Sequence, residues 1–238
     1  WARGALLDWN RMRDEIGAMQ GQASGLVRLA TNDYAAAAYL PTILASFARL
    51  QPDVRVAISI SQEPARLLDG MCDLAVHAGR RPDADLVGRK IYEYGRKVVA
   101  SPAYLAGRDT PQKPADIARH LCLTHNVSEP AEWTFEDPDG VLHVQRVHSH
   151  MSCDSWTMLL ALALQGIGIA RLSDSLVRGP LADGRLVELL PHMRSVYADG
   201  DPPAMWVLAA DRAMPLRVRL LADHIAGALL QLHRTGRR

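Results

Sequence analysis

No cysteine framework, no excess of either charge and no long apolar run stands out in these 238 residues, and each shortage excludes a class of protein. Cys72, Cys122 and Cys153 are far apart, odd in number and without CxxC spacing, so neither a disulfide scaffold nor a cysteine-rich zinc module is indicated. A reducing compartment is the natural setting. Lys and Arg total 27 against 26 Asp and Glu, which disfavours a protein that coats nucleic acid through a clustered basic surface. The longest apolar run, Met158 to Leu164, falls well short of the roughly 20 residues that cross a bilayer. Trp1 opens the chain with no charged-then-apolar leader before it, as expected of a piece of something longer or of a processed mature protein. Hydrophobic residues make up 48% and charged residues 22%, which excludes a disordered chain or a collagen-like repeat and suits one large domain or two small lobes.

Catalytic signatures are missing too. There is no GxSxG elbow, no HExxH and no GxxxxGK[ST] loop. Gly166-Ile167-Gly168 resembles the start of a dinucleotide loop, but it precedes a strand and meets Arg171 at the third glycine position, so helix capping and close packing are the expected roles. His148 and His150 share one face of a predicted strand, the pattern of solvated polar residues as much as of a metal site. Asp137 and Asp139 around Pro138 form a turn before they form a carboxylate pair.

What is present is an alternation of strands and helices. Residues 1–22 have the spacing of a loose amphipathic helix. Leu26–Ala30 reads as a strand, the segment carrying Leu40, Ile43, Leu44, Phe47 and Leu50 as a helix with one buried face, and Val54, Val56, Ile58 and Ile60 as an alternating strand. Pro64–Asp69 is a predicted short helix that Gly70 ends in a left-handed conformation, and Asp73–Ala78 a further buried strand. A second series follows: a helix start at Pro114, a strand near Leu121–Thr124, and a hairpin of Trp133–Phe135 with Leu142–Val147 across Asp137–Gly140. Ser155–Gln165 is apolar nearly all round, so a buried helix is expected, followed by a strand at Ile167–Leu172. Met205–Ala210 is a last strand, and a helix from about Pro215 buries Val218, Leu221, Ile225 and Leu229. Strands separated by helices predict an α/β fold with a parallel sheet.

Polar clusters fall at strand-to-helix junctions, where open parallel sheets bind ligands. Thr31-Asn32-Asp33-Tyr34 follows the first strand, and Ser152-Cys153-Asp154-Ser155 precedes the apolar helix. Each is also what an N-cap requires. Two such helix N-termini would present N–H groups and a positive dipole end to a small anion.

The order of motifs resembles the effector-binding domain of LysR-type transcriptional regulators. It is carried by Gly25-Leu26-Val27-Arg28-Leu29, Leu40-Pro41, Pro52-Asp53-Val54, Asp73-Leu74-Ala75-Val76 and Gly79-Arg80. Val99-Ala100-Ser101-Pro102, Trp133-Thr134-Phe135, Gly166-Ile167-Gly168-Ile169-Ala170 and Gly184-Arg185-Leu186-Val187 continue it, so that about residues 23–230 are covered. The resemblance implies two Rossmann-like lobes of type 2 periplasmic-binding-protein fold joined by two crossing strands. Lobe one is expected at 23–100 plus 204–238 and lobe two at 101–203, after the remnant of a linker helix at 1–22.

It further implies a non-enzymatic sensor in the bacterial cytoplasm, with no cofactor, metal or membrane partner. The lobes would hold a small effector, anionic on the evidence of the helix N-termini, between them. The domain would pair into a homodimer, tetrameric when full length, and would reach promoter DNA only through a winged helix-turn-helix that is not among these residues. Carried over by position, the effector contacts are Thr31, Asn32, Asp33, Tyr34, Gln62-Glu63, Arg80, Ser101, His125, Asn126, Ser152, Cys153 and Asp154. Arg80 reads equally as a solvated surface arginine, and His125 as a satisfied cleft-wall imidazole. The sequence departs from the family at Arg171, a position usually apolar, and at Ala209-Ala210-Asp211, where relatives often carry proline. A mature periplasmic solute-binding protein shares the fold and is the alternative; an enzyme built on it would need groups such as Asp33 or His125 to do chemistry.

Overall fold

The computed structural model describes residues 23–61, 70–80, 85–126, 132–211 and 213–236. The expected helices at 1–22 and 64–69, and the pair Gln62-Glu63, lie outside the described residues. Two compact units divide the chain. One takes the described residues within Trp1–Ala78, Pro82–Tyr92 and Met205–Arg238, the other those within Gly79–Arg81 and Glu93–Ala204.

In the first unit, β1 (Gly25–Thr31) leads into α1 (Asp33–Ala38) and α2 (Leu40–Leu50), followed by β2 (Val54–Ile60), β3 (Leu74–Gly79) and β4 (Val87–Glu93). β13 (Ala204–Ala209) and α6 (Leu216–Gly236) return to it from the far end of the chain, and the sheet order is β2-β1-β3-β13-β4. β1 and β2 run parallel from Gly25↔Val54 to Thr31↔Ile60, and β1 and β3 parallel from Leu29↔Leu74 to Thr31↔Val76. The apolar stripe read at Leu40, Ile43 and Phe47 is buried with Val27, Leu29, Leu221 and Ile225, each large side chain contributing roughly 1.5–3 kcal/mol. Asp73 pins the start of β3 to β1 by accepting from the Arg28 backbone N–H at 2.7 Å and from its Nη2 at 2.7 Å. Gly70, just before it, has φ +64°, the left-handed conformation expected of it.

The second unit is built on β5 (Arg96–Ala100), α3 (Pro102–Leu105), a 3-10 turn at Pro114–Arg119, β6 (Leu121–His125), β7 (Glu132–Glu136), β8 (Leu142–Arg146) and β9 (His148–Cys153). It continues with α4 (Trp156–Leu164), β10 (Ile169–Ser173), α5 (Asp174–Ala182), β11 (Val187–Leu189) and β12 (Arg194–Val196). Its main sheet has the order β11-β5-β10-β6-β9, and a smaller one the order β12-β7-β8. The hairpin expected around Asp137 is β7–β8: Asp137 Oδ1 accepts from the N–H of Asp139 and of Val141, and Gly140 has φ +81°.

Two expectations need correction. The sheets are not purely parallel: β10 pairs in parallel with β6, and β6 with β9, but β5 runs antiparallel to β10 and β11. The physical reason is that β5 enters this sheet straight from β4, a strand of the other sheet, so no strand-helix-strand crossover within its own sheet ties it parallel to a preceding strand. The second unit holds Glu93–Ala204 together with Gly79–Arg81. α4, apolar nearly all round, buries only Leu159 and Ala163 and leaves Met158 50% exposed, because it packs against the sheet on one side alone. The fold is two mixed α/β lobes joined by crossing strands, the β4–β5 passage and β13, in the type 2 periplasmic-binding-protein manner.

Candidate functional site

In the first unit the polar cluster sits at the carboxyl end of β1. Thr31 is 1% exposed, and its hydroxyl has no hydrogen-bond partner among the described residues. An unpaired buried hydroxyl costs about 1–3 kcal/mol. Its backbone carbonyl is occupied, accepting from the Ser61 N–H at 2.7 Å. Asn32 is buried and caps α1, its Oδ1 accepting from the Ala35 N–H at 2.7 Å. Asp33 opens the helix, and Tyr34 stands edge-on to Tyr39, ring centroids 5.6 Å apart.

In the second unit the parallel register of β6 and β9 does the gathering. Thr124 lies opposite Ser152 and His125 opposite Cys153, and the Asn126 N–H donates to the Cys153 carbonyl at 3.1 Å. His125, Asn126, Ser152, Cys153 and Asp154 thus end together at the N-terminus of α4. Ser155 caps that helix, its Oγ accepting from the Met158 N–H at 3.1 Å. His125 is buried and stacks on Trp156, centroids 4.0 Å apart and planes 20° from parallel. Ser152 and Asp154 are exposed. Trp156 was absent from the sequence-derived set; a Trp one residue after a capping serine beside a polar cluster is the signal that could have found it.

Ser101 is placed elsewhere. β5 runs against β10, so its carboxyl end lies at the opposite end of the strands from His125 and Ser152. Ser101 caps α3, its Oγ accepting from the Tyr104 N–H at 3.2 Å. A Cβ on Gly166, past the far end of α4, would meet the same Oγ at 3.4 Å. Nine helical residues, about 13 Å, therefore separate Ser101 from the other cluster. Gly168 would place a Cβ 2.6 Å from the Leu121 carbonyl oxygen, which confirms close packing as the role of this glycine pair.

Arg80 follows β3 directly and is half-exposed. Its Nη2 donates to Asp199 Oδ2, and its guanidinium carbon lies 5.5 Å from the centre of the Tyr197 ring. Arg96, buried, faces the same ring at 4.6 Å and donates from Nη2 to the Tyr197 hydroxyl at 2.5 Å. The Arg80 hydrogen bond holds the Asp199 carboxyl below the ordinary carboxylate range. Burial pushes the Tyr94 phenol, beside Arg96, well above its usual value. Arg171 is buried over the Trp133 ring at 5.4 Å, so its departure from the family pattern is accommodated within the second unit. Gln62 and Glu63 lie outside the described residues. Among the described residues no helix is long and apolar enough to cross a membrane.

Comparison with known proteins agrees with this architecture. The family model described as the LysR substrate binding domain matches residues 20–229. The HTH-type transcriptional regulator CrgA of Neisseria meningitidis is 32% identical over 193 residues, 80% of this chain and 62% of CrgA, so the chain spans less than two thirds of that relative. The HTH-type transcriptional regulator PtxR of Pseudomonas aeruginosa is 32% identical over 223 residues, 93% of this chain and 68% of PtxR. Among solved structures, the CrgA regulatory domain superposes with a TM-score of 0.70 at 28% identity, covering 87% of this chain and all of that one. Full-length AphB of Vibrio cholerae, at 23% identity and a TM-score of 0.74 over 94% of this chain and 75% of its own, shares the fold. The chain belongs to the LysR substrate binding domain family, the ligand-sensing regulatory part of LysR-type transcriptional regulators.

Proposed function

We propose that this domain senses a small anionic effector, taken up between its two lobes, on behalf of a bacterial transcription regulator in the cytoplasm. The observation that carries the reading is the paired ending of β6 and β9, which delivers His125, Asn126, Ser152 and Asp154 to the N-terminus of α4. A helix N-terminus favours negative charge and offers N–H donors. The buried hydroxyl of Thr31 at the end of β1, with Asn32, Asp33 and Tyr34 beside it, supplies the corresponding group in the first unit. Arg80 adds a cation, and Glu63, outside the described residues, belongs to the proposed set by family position. Ser101 is left its capping role.

The effector acts by binding one arrangement of the domain better than another; a tenfold shift needs only about 1.4 kcal/mol of differential affinity. The regulator pairs through this domain and is tetrameric at full length, as the family resemblance implies. Promoter DNA is met through a winged helix-turn-helix N-terminal to it, as the names of the relatives suggest. The domain performs no catalysis.

Thermal-shift screening against small carboxylates and amino acids tests this. A ligand at 100 times its dissociation constant stabilises by about 2.7 kcal/mol, a rise of about 5–10 °C for a chain of this size. Ser152→Trp is expected to abolish the rise while keeping the unliganded melting temperature. A panel in which nothing stabilises, or a rise that survives Ser152→Trp unchanged, contradicts the reading.

A further inference from the structure

Asp199 needs an explanation that folding stability does not provide. Its ion pair with Arg80 is half-exposed on both sides, and exposed pairs contribute little net stability because both side chains give up water and freedom to form them. Yet Asp199 is held ready for the contact. Its Oδ1 accepts from the Asp201 N–H at 3.1 Å, inside a turn closed by the Tyr197 N–H donating to the Asp201 carbonyl at 2.9 Å and by Gly200 at φ +84°. The cation it meets is equally organised. Tyr197 is buried, its ring lies under the Arg80 guanidinium, and its hydroxyl is fixed by the buried Arg96.

A guanidinium recognises a carboxylate by its planar donor fork, whatever molecule the carboxylate belongs to. We propose that Asp199 is a built-in competitor: its carboxylate occupies Arg80 in the unliganded domain, and the carboxylate of the effector displaces it. This deepens the sensing function proposed above and rests on it. An internal competitor raises the ligand concentration needed for occupancy, because it is present at a high effective concentration, and so sets the threshold of the sensor. Tyr197 and Arg96 are the positioning residues that keep the Arg80 cation in place during the exchange.

Calorimetric titration with acetate, succinate and citrate, on wild type, Asp199→Asn, Arg80→Ala and the double variant, tests the exchange. Asn keeps the acceptor for the Asp201 N–H, so the turn survives, and circular dichroism melts check that each variant folds. Asp199→Asn is expected to bind at least one of the three about fivefold more tightly than wild type, the factor a displaced exposed pair is worth. The Arg80 Nε–H signal should move in the same titration by NMR. On the Arg80→Ala background the gain should vanish, the coupling a double-mutant cycle isolates. The inference is overturned if Asp199→Asn binds no more tightly than wild type, or if its gain persists without Arg80. Should wild type bind a carboxylate, with Ser152→Trp blocking it, while Asp199→Asn changes nothing, the competitor fails and the sensing function stands. If no variant binds any of the three, both fall.

Discussion

Of the glycines in the described residues, Gly168, just before β10, would bring an added Cβ closest to its neighbours, and Gly168→Ala is the sharpest test of that packing. An ideal Cβ there sits 2.6 Å from the Leu121 carbonyl oxygen and 3.2 Å from the carbonyl carbon. Both are backbone atoms at the start of β6, so neither can swing aside as a side chain would. The new methyl has to push β10 from β6 next to the pair Ile169↔Cys122. Overpacking of this kind costs about 1–3 kcal/mol, while the stiffer unfolded chain returns about 0.4–1 kcal/mol, for a net loss of about 1–2 kcal/mol. At roughly 2–4 °C per kcal/mol for a chain of this size, the melting temperature falls by about 2–8 °C. Gly227→Ala is the matched control. It is exposed within α6, with nothing within 4 Å of the added atom, and gains about 0.5–1 kcal/mol from helix propensity. Thermal and urea unfolding followed by circular dichroism read both. If Gly168→Ala melts at or above wild type while the control behaves as stated, β10 and β6 do not approach so closely, and the sheet that sets His125 against Cys153 is wrongly drawn.

Two further predictions concern buried titratable groups. Burial pushes the Cys122 thiol up to about 12, and the thiolate is the nucleophile, so iodoacetamide at pH 8 should label half-buried Cys153 first and reach Cys122 only on unfolding; equal labelling rates by mass spectrometry would refute this. Burial, with the charge of Arg108, holds His120 below its ordinary value, so the folded state prefers the neutral ring. Stability is therefore complete above the unfolded histidine value near ~6.5, declines as pH falls below it, and levels once the folded imidazole also protonates. A His120→Asn variant should lose that slope in urea midpoints measured from pH 7.5 to pH 5, and an unchanged slope would contradict the assignment.

How much of this was legible in the sequence depended on how local the determinant was. The strand over Val54–Ile60, the turn at Asp137–Gly140 and the left-handed Gly70 and Gly166 each follow from a few adjacent residues, and the structure carries all four, although Ile58 and Ile60 are exposed, so the apolar alternation of that strand is not matched by alternating burial. Strand direction is not local: nothing within Arg96–Ala100 says that β5 will run against β10, because orientation is set by pairing with a strand distant in the chain. The same reversal moved Ser101 to the opposite end of the strands from His125. Apolarity alone misjudged α4, since a helix packed on one side exposes its outer face whatever its composition. The partnership of Arg80 with Asp199 spans 119 residues, and only tertiary structure brings the two groups together.

The central claim is that one small anion engages polar strand ends of both units. Backbone amide NMR of the ¹⁵N-labelled domain, titrated with the best stabilising carboxylate from the thermal screen, tests it most directly. The account predicts saturable shifts at Thr31–Tyr34 together with Asn126 and Ser152–Ser155, all fitted by one dissociation constant. Shifts confined to one unit, or two groups of residues saturating with different constants, would contradict it.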